Sequence, residues 1–424
     1  MGKQARSDRS LGLKHAGHAT AAHPKSLDFS AHLEFLVATS IPFADGDVLL
    51  AAVADEESQQ SARAYMEAAF GKKGLATARE SPVRGALSMS EERIDSVRLQ
   101  NLAYGYRQSA TLVAAIEVDL FTKIAQGART IEQVASSLDI APINAERMLV
   151  ACAALGLVVK NGAGYANAPD VERFLVKGAK NYAGPWLTTM GRSDYAAWNK
   201  LAEFLRRKEP PRILGTYENF TVEDARKLHR ATFSIGMGAG RRFARQVDLS
   251  KRSMILDLGG GSGCYCIAAA EKYPWIKAVV FDLPSVAVVA NEYIAQCGFS
   301  GRINAVGGDF TKDPFPAGAD VVTMASNLPQ YSPDIIRAVV RKAFEALKPG
   351  GEMHLIGEML NDAKTGPLGP ALWGLNEAIY QSTGVAHSEA EVTGYLKDAG
   401  FVEVSANEFI PGSLTRVTGL KPTA

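Results

Sequence analysis

A glycine-rich turn between an apolar strand and a helix constrains the fold of this chain more than any other segment. Residues 254–258 predict a buried strand, and the run Asp257-Leu-Gly-Gly-Gly-Ser-Gly leads directly into a helical stretch over 264–272. Glycines let a chain turn tightly and bring its amides close to a ligand at a helix N-terminus. Their spacing of two residues differs from the dinucleotide pattern GxGxxG. The glycines with this spacing are Gly259, Gly261 and Gly263.

Two carboxylates stand at the ends of the next two predicted strands. Asp282 follows the strand over 278–281, and a carboxylate there can accept hydrogen bonds from both ribose hydroxyls of a nucleoside. Asp309 and Phe310 follow a strand near 303–306, where the carboxylate can take an adenine amino group and the ring can cover the base. Singly, Asp282 could cap a helix and Phe310 could belong to the core. Together, at the carboxyl ends of consecutive parallel strands, these residues predict one nucleoside site.

The rest of the chain continues the alternation of strands and helices, which is typical of a doubly wound α/β sheet. The sequence predicts strands over 320–325, 351–358, 401–409 and 414–420, with helices over 333–347 and 388–399. The last two strands, joined by Pro411-Gly412, form a hairpin. We therefore expect the last strand to run antiparallel to the sheet, unlike the strands of dinucleotide dehydrogenases.

The segment before the sheet has the helix, helix and hairpin order of a winged helix. The predicted elements are a long amphipathic helix near 94–125, helices over 131–138 and 143–155, and a hairpin around Asn161-Gly162. A winged helix usually binds DNA through basic residues. Between Arg129 and Asp170, however, three basic residues stand against four acidic ones. A scaffold or dimerisation role is therefore expected, with no nucleic acid partner.

Charge and hydropathy exclude several other partners. The 424 residues carry 46 Lys and Arg against 45 Asp and Glu, a balance that gives no electrostatic reason to expect a membrane surface. No apolar run approaches the roughly 20 residues of a membrane-spanning helix, and no hydrophobic signal core is present. We expect a cytoplasmic protein. The 4 cysteines form no CxxC pair, which indicates reduced core thiols and no metal site.

Composition and periodicity divide the chain into three segments. Residues 1–95 read as an N-terminal extension that is partly disordered, with a helical pattern over 27–70. Residues 96–235 form the helical, winged-helix-like segment, and residues 236–424 form the sheet domain with the nucleoside site.

Five motifs along the chain can be set beside known families. They are Leu256-Asp-Leu-Gly-Gly-Gly-Ser-Gly, Phe281-Asp-Leu-Pro, Gly308-Asp-Phe, Leu347-Lys-Pro-Gly-Gly and Asp398-Ala-Gly-Phe. As a set they resemble the acetylserotonin and caffeate O-methyltransferase-like family, over about residues 97–421. The resemblance implies a class I methyltransferase sheet behind a helical dimerisation domain. It also implies a homodimer that transfers a methyl group from S-adenosylmethionine to a small molecule.

The resemblance further implies which residues hold the two ligands. Those expected at S-adenosylmethionine are Asp257, Gly259, Gly261, Asp282, Leu283, Asp309, Phe310 and Ser326. Those expected at the methyl acceptor are Phe233 and Met237 before the first strand of the sheet, and Asn376, Glu377 and Tyr380 after the fifth.

One motif departs from the family pattern. Members carry Leu-His-Asp-Trp after the fourth strand, and its His takes the proton from the substrate hydroxyl, whereas this chain reads Leu328-Pro-Gln-Tyr. Pro329 cannot accept a proton. Gln330 and Tyr331 are the catalytic candidates by position, but neither an amide nor a phenol of pKa about 10 is a good base at neutral pH. A thioether sulfur has no proton to lose. The departure therefore favours base-free S-methylation of a thioether acid such as 4-methylthio-2-hydroxybutyrate, the acceptor of a bacterial route to dimethylsulfoniopropionate.

Other interpretations stay open at this point. An acid acceptor needs an anchor, for which Tyr106, Arg107 and Arg192 are the candidates, although both arginines could equally form surface ion pairs. An O-methyltransferase would need another base, and His229, His354 and His387 are the histidines in the enzyme portion. Methylation of an enolisable carbon in a keto acid, or a shift to decarboxylation or hydroxylation, are further alternatives.

Overall fold

The computed structural model describes residues 95–162 and 164–423, which belong to one compact unit from Ile94 to Ala424. The predicted extension up to residue 94, with its helical pattern over 27–70, lies outside the described residues. In the described part no helix is long and apolar enough to cross a membrane. The cytoplasmic location expected from the sequence stays a prediction.

The front half begins with short helices around a small hairpin. Its elements are α1 (Val97–Tyr104), α2 (Tyr106–Glu117), α3 (Leu120–Ala125), α4 (Ile131–Leu138), α5 (Pro142–Ala154), β1 (Val158–Asn161) and β2 (Gly164–Asn167). The prediction of a single long helix near 94–125 is wrong, because the helix is interrupted at Gly105 and again at Asp119. Asp119 adopts a left-handed backbone with φ 66°, which an α-helix cannot contain.

The two following helices and the hairpin agree with the sequence prediction. Thr130 accepts a hydrogen bond from the Gln133 amide, and the Gln133 side chain bonds back to Thr130, so this capping box starts α4. The hairpin pairs β1 with β2 antiparallel across Asn161-Gly162, as that dipeptide indicates. Phe121, Leu149 and other buried apolar side chains form one core beneath them.

Helix α1 carries an uncovered apolar face. Leu99 and Leu102 are 56% and 66% exposed, and Val97 and Tyr104 are also exposed. Leu99 and Leu102, three residues apart, share one side of α1, whereas Val97 and Tyr104 lie on the opposite side. Exposed apolar groups normally pack against another surface, and we infer that a second copy of the chain covers the side with Leu99 and Leu102.

Truncating Leu102 to Ala should weaken this dimer. A symmetric dimer loses two Leu side chains, each worth roughly 1.5 kcal/mol or more when buried, so the dimer dissociation constant should rise about 100-fold or more. Analytical ultracentrifugation measures it. Val402→Ala, in an exposed Val at the opposite end of the sequence, serves as the control. A wild-type chain that is monomeric at micromolar concentration would contradict the inference.

A second group of helices connects the hairpin to the sheet. They are α6 (Pro169–Phe174), α7 (Gly184–Thr189), a π-helical turn (Met190–Asp194), α8 (Tyr195–Trp198), α9 (Leu201–Leu205), a 3-10 turn (Gly215–Asn219) and α10 (Val222–Gln246). Thr221 and Asp224 form the capping box that starts α10. This helix of 25 residues runs without a break across the segment boundary predicted at 235/236. The three-segment division itself stays a prediction.

The back half is a seven-stranded sheet covered by helices. Its elements are β3 (Met254–Leu258), α11 (Cys264–Lys272), β4 (Lys277–Asp282), α12 (Pro284–Gln296), β5 (Ile303–Gly307), β6 (Ala319–Ala325), a 3-10 turn (Leu328–Gln330), α13 (Pro333–Ala346), β7 (Leu347–Gly357), α14 (Leu368–Tyr380), α15 (Glu389–Asp398), β8 (Val402–Ile410) and β9 (Leu414–Leu420). The strand order is β5-β4-β3-β6-β7-β9-β8. Strands β3 to β7 pair in parallel, and β9 is antiparallel to both neighbours. The predicted doubly wound sheet with an antiparallel last strand is confirmed.

The sheet separates two apolar cores. Ile255 belongs to the core on one face and the adjacent Leu256 to the core on the other, because successive strand residues point to opposite faces. Phe243 of α10 packs into the first core and Tyr395 of α15 into the second. Because helices cover both faces of the sheet, a ligand can reach it at the carboxyl ends of the strands.

Candidate active site

The strand order creates a crevice at the carboxyl edge of the sheet. From β3 the chain proceeds outward through β4 to β5, and the next strand, β6, returns to the other side of β3. In open α/β sheets this reversal is the switch point at which ligands bind. The loops after β3, β4, β5 and β6 therefore line one site.

The glycine loop after β3 is shaped by its missing side chains. Gly259 and Gly261 have φ values of 62° and 56°, in the left-handed region that favours glycine. A Cβ on Gly259 would lie 2.6 Å from Nδ2 of Asn327 and 3.0 Å from the Phe310 ring. A Cβ on Gly261 would lie 2.7 Å from Cε1 of His229. Only glycine leaves room here for a ligand beside these side chains.

Asp257 lies beneath the loop. Its side chain is 1% exposed; Oδ1 accepts a hydrogen bond of 2.6 Å from Thr323, and Oδ2 lies 3.7 Å from the thiol of Cys266. Burial raises its pKa to about 7. A Cβ on Gly260 would lie 2.5 Å from Oδ2, so the carboxyl group supports the loop from below. Its described contacts are with the protein, and direct contact with the donor stays a prediction.

Asp282 ends β4 and faces the loop from the other strand. Oδ2 accepts the Gly261 amide at 2.8 Å, and Oδ1 accepts the Leu283 amide at 2.7 Å. Each oxygen keeps a lone pair for a ribose hydroxyl. Burial raises the Asp282 pKa to about 6, against the effect of the two amide bonds. The groups present therefore fit a nucleoside whose ribose lies at the end of β4.

Asp309 and Phe310 follow β5, as predicted. Oδ1 of Asp309 accepts the hydroxyl and amide of Thr311 at 2.6 and 2.9 Å, and Oδ2 lies 3.2 Å from Nζ of Lys312. Although burial acts to raise it, these hydrogen bonds hold the Asp309 pKa below its usual value. The Asp309 carboxylate thus remains charged at neutral pH, and its contacts with Thr311 and Lys312 hold the turn after β5 in place. The ring of Phe310 lies edge-on to Tyr331, with centroids 5.0 Å apart.

The segment after β6 brings Tyr331 into the site and fixes it there. Ser326 has φ 59° and its amide bonds to the Ile356 carbonyl. Nδ2 of Asn327 donates to the Gly259 carbonyl at 3.1 Å and so ties this segment to the glycine loop. Tyr331 is buried, and burial raises the pKa of its phenol well above the usual value. Tyr331 can donate a hydrogen bond but cannot act as a base near neutral pH.

His387 has a positioning contact with the same segment. Its Nε2 donates to the Tyr331 carbonyl at 2.9 Å, so Nδ1 is left to accept from the hydroxyl of Tyr395 at 3.0 Å. Both ring nitrogens are therefore engaged. His354 lies within β7 between Thr418 and Glu352, away from the carboxyl end of that strand. Neither histidine is placed to take a proton from an acceptor.

A group of carboxyl and phenol side chains lies on the acceptor side of the crevice. Glu377 is 3% exposed, and its Oε2 accepts the Ser382 hydroxyl at 2.6 Å. Burial raises the Glu377 pKa to about 7. Burial raises the pKa values of Tyr217, Tyr380 and Tyr331, and the charge of Glu377 adds to each rise. The rings of Tyr217 and Tyr380 lie edge-on with their centroids 6.4 Å apart.

Two further residues complete this side. Asp194 comes from the front half, and its charge acts on Tyr217 and Tyr380. Asn376 precedes Glu377 on α14 and is 3% exposed. Burial raises the pKa of Tyr380, and the adjacent Asn376 amide opposes that rise as a hydrogen-bond partner, although no described residue makes a well-formed hydrogen bond to Nδ2. An unpaired buried amide is costly, so this nitrogen is available to an oxygen of a bound ligand.

The other predicted acceptor residues have contacts of their own. Phe233 stacks on Tyr293 of α12 with centroids 4.4 Å apart, and Met237 is buried in the core next to α11. Arg192 pairs with Glu117, and Arg107 lies over the ring of Tyr104. Tyr106 packs against Tyr195. The structure thus places Asn376, Glu377 and Tyr380 on α14, which packs against the turn that precedes Tyr331, and it engages both arginines within the front half.

Sequence reasoning missed several residues of the site. Asn327 is adjacent to the predicted Ser326, and Tyr217 and Asp194 belong to short turns without a strong pattern. Glu358 follows β7 directly, and burial raises its pKa. An acidic residue straight after a strand of a parallel sheet is a signal that could have identified Glu358.

Comparisons with known proteins identify relatives over most of the chain. The O-methyltransferase domain family matches residues 198–402, and the O-methyltransferase dimerisation domain family matches residues 100–177. The chain is 33% identical to 3-hydroxy-5-methyl-1-naphthoate 3-O-methyltransferase of Streptomyces sahachiroi, over 76% of this chain and 94% of that protein. It is 32% identical to the N,N-dimethyltransferase OxyT of Streptomyces rimosus, over 72% and 90%.

A solved structure shows the same architecture. Human N-acetylserotonin methyltransferase in complex with S-adenosylmethionine superposes with a TM-score of 0.65 at 26% identity. The match covers 79% of this chain and 100% of that one.

Proposed function

The chain belongs to the O-methyltransferase family and is an S-adenosylmethionine-dependent methyltransferase of small molecules, and from this premise we propose that it methylates a hydroxyl oxygen of an uncharged aromatic acceptor. Glu377 takes the place of the absent His as the base. The dimerisation domain supports a homodimer. The family assignment replaces the broader alternatives of decarboxylation or hydroxylation with methyl transfer.

The observation that supports the proposal is the buried carboxyl group of Glu377 on α14, the helix that packs against the Leu328–Gln330 turn. Among the residues that the structure describes, Oε2 accepts a hydrogen bond from the Ser382 hydroxyl, and Oε1 is left to meet an acceptor hydroxyl. A base works best when its pKa is near the working pH, and burial raises that of Glu377 to about 7. The missing His therefore does not leave the site without a base.

The charges around the acceptor position disfavour an acid. The acceptor side carries the buried carboxyl group of Glu377. Of the two arginines expected to anchor a substrate carboxylate, Arg192 pairs with Glu117 and Arg107 lies over the ring of Tyr104. A negative acceptor would meet like charges at this position. We therefore do not propose the thioether acid favoured by the sequence as the methyl acceptor, and we include it in the assay below as a test compound.

The chain's own residues divide the remaining tasks. S-adenosylmethionine supplies a methyl group bound to a positively charged sulfur. Asn376 donates to an oxygen of the acceptor, and Tyr331 forms an aromatic wall next to it, edge-on to the Phe310 ring that covers the adenine. As the acceptor oxygen bonds to the methyl carbon, the carbon–sulfur bond breaks and the hydroxyl proton passes to Glu377. Positioning and exclusion of water contribute the rest of the acceleration.

An assay with isotope-labelled methyl donor against matched acceptors tests the proposal. The panel comprises naphthols and phenols, the same rings with a carboxylate or an amine in place of the hydroxyl, enolisable keto acids, and 4-methylthio-2-hydroxybutyrate. We expect methylation of the uncharged hydroxyl compounds. Selective methylation of the thioether acid would restore the base-free interpretation, and selective methylation of amines would move the nucleophile to nitrogen.

A further inference from the structure

His229 lies at the glycine loop, although it was considered in the sequence only as a possible base. It stands in the third turn of α10 and is 8% exposed. Its ring occupies the space next to Gly261, since a Cβ there would lie 2.7 Å from Cε1 and 3.4 Å from Nδ1. The imidazole is thus within van der Waals range of the donor loop.

The order of strands indicates which part of the donor passes His229. The adenine is expected at Asp309 after β5, and the ribose at Asp282 after β4. The sheet continues from β4 to β3, so the chain of atoms leaving the ribose runs over the loop from Gly259 to Gly261. In S-adenosylmethionine these atoms are the methionine part, which ends in an ammonium and a carboxylate. His229 comes from the helix above this loop.

The hydrogen bonds of His229 leave one donor available. Nδ1 lies 3.4 Å from the Thr232 hydroxyl, and Nε2 makes no hydrogen bond to a residue in the described ranges. Burial lowers the His229 pKa to about 4, so the ring is neutral at physiological pH. When the Thr232 hydroxyl donates to Nδ1, the single ring proton is on Nε2.

We propose that Nε2 of His229 donates a hydrogen bond to the carboxylate of the methionine part of S-adenosylmethionine. His229 is then a donor-binding residue, set apart from the acceptor side of the crevice after β6 and β7. The inference does not depend on which acceptor atom is methylated.

Two ligands that share the nucleoside test this assignment. S-adenosylhomocysteine carries the amino-acid end, whereas 5′-methylthioadenosine has the same nucleoside and sulfur without it. Calorimetry should show that His229→Ala weakens S-adenosylhomocysteine binding about tenfold or more, the usual loss for a hydrogen bond to a charged group. The same variant should bind 5′-methylthioadenosine within about twofold of the wild type.

A second variant separates contact from packing. His229→Gln keeps an N–H donor near the position of Nε2 and should recover part of the S-adenosylhomocysteine affinity. Retained 5′-methylthioadenosine binding also reports that each variant is folded at the nucleoside site. Equal losses for both ligands would mean that His229 only shapes the loop, and unchanged affinity for both would mean that it does not touch the donor. Either result overturns the proposal.

Discussion

Replacing Glu377 with Gln should lower the single-turnover rate of methyl transfer by roughly 10²- to 10⁴-fold, the contribution expected of a general base. Gln keeps the shape of the side chain and can still accept the Ser382 hydroxyl, but it cannot hold the transferred proton. Rapid-quench measurements at saturating acceptor separate the chemical step from product release. Glu345→Gln, an exposed Glu on α13, is the matched control and should leave the rate unchanged.

The pH profile gives an independent test of the same role. Glu377 must be ionised to accept a proton, and burial raises its pKa to about 7, so the wild-type rate should rise as pH increases through about 7. Glu377→Gln should lose this ascending limb. A thioether acceptor would give no such limb even in the wild type. A rate that falls only in Glu358→Gln would assign the base to the other buried carboxyl of the crevice.

Changing Asp282 to Ala should weaken S-adenosylmethionine binding by roughly 1.5 to 3 kcal/mol, or about 10- to 150-fold. The variant removes the acceptor for the ribose hydroxyls and the support of the Gly261 amide. Calorimetry measures the dissociation constant, and Asp334→Ala, in a carboxylate 95% exposed on α13, is the control. An unchanged constant would show that the ribose binds elsewhere.

The same carboxylate predicts how donor binding responds to acid. Burial raises the Asp282 pKa to about 6, and only the ionised form accepts two ribose hydroxyls without giving up an acceptor site. Affinity for S-adenosylmethionine should therefore fall as pH drops through about 6 in the wild type. Asp282→Ala should lose that dependence.

The sheet and the donor loop were predictable because their signals are local. A glycine loop after an apolar strand, and a carboxylate after each of the next two strands, mark the crevice within about fifty residues of sequence. The break at Asp119 was not predictable, because its left-handed backbone interrupts an apolar pattern that continues across it. Periodicity reports which side of a helix is apolar and is insensitive to a single residue that bends the chain.

The acceptor side was harder to predict because its chemistry depends on residues far apart in sequence. Glu377 was recognised as a pocket position, but its raised pKa comes from burial, which only the tertiary structure produces. Arg192 was one candidate anchor for an acid acceptor, whereas in the structure it pairs with Glu117, 75 residues earlier in the chain. Side-chain pairing of this kind leaves no periodic trace.

Helix α10 has a consequence for any attempt to recombine this enzyme with its relatives. The helix carries His229 at the donor loop and Phe243 in the sheet core, and it runs through the junction between the dimerising and sheet-forming segments. A chimaera joined at 235/236 would combine two halves of one helix whose faces were selected against different surroundings. A crossover before Thr221, where the capping box begins the helix, keeps these contacts within one parent. Exchange of acceptor preference between family members should therefore succeed more often when α10 and the sheet come from the same parent protein.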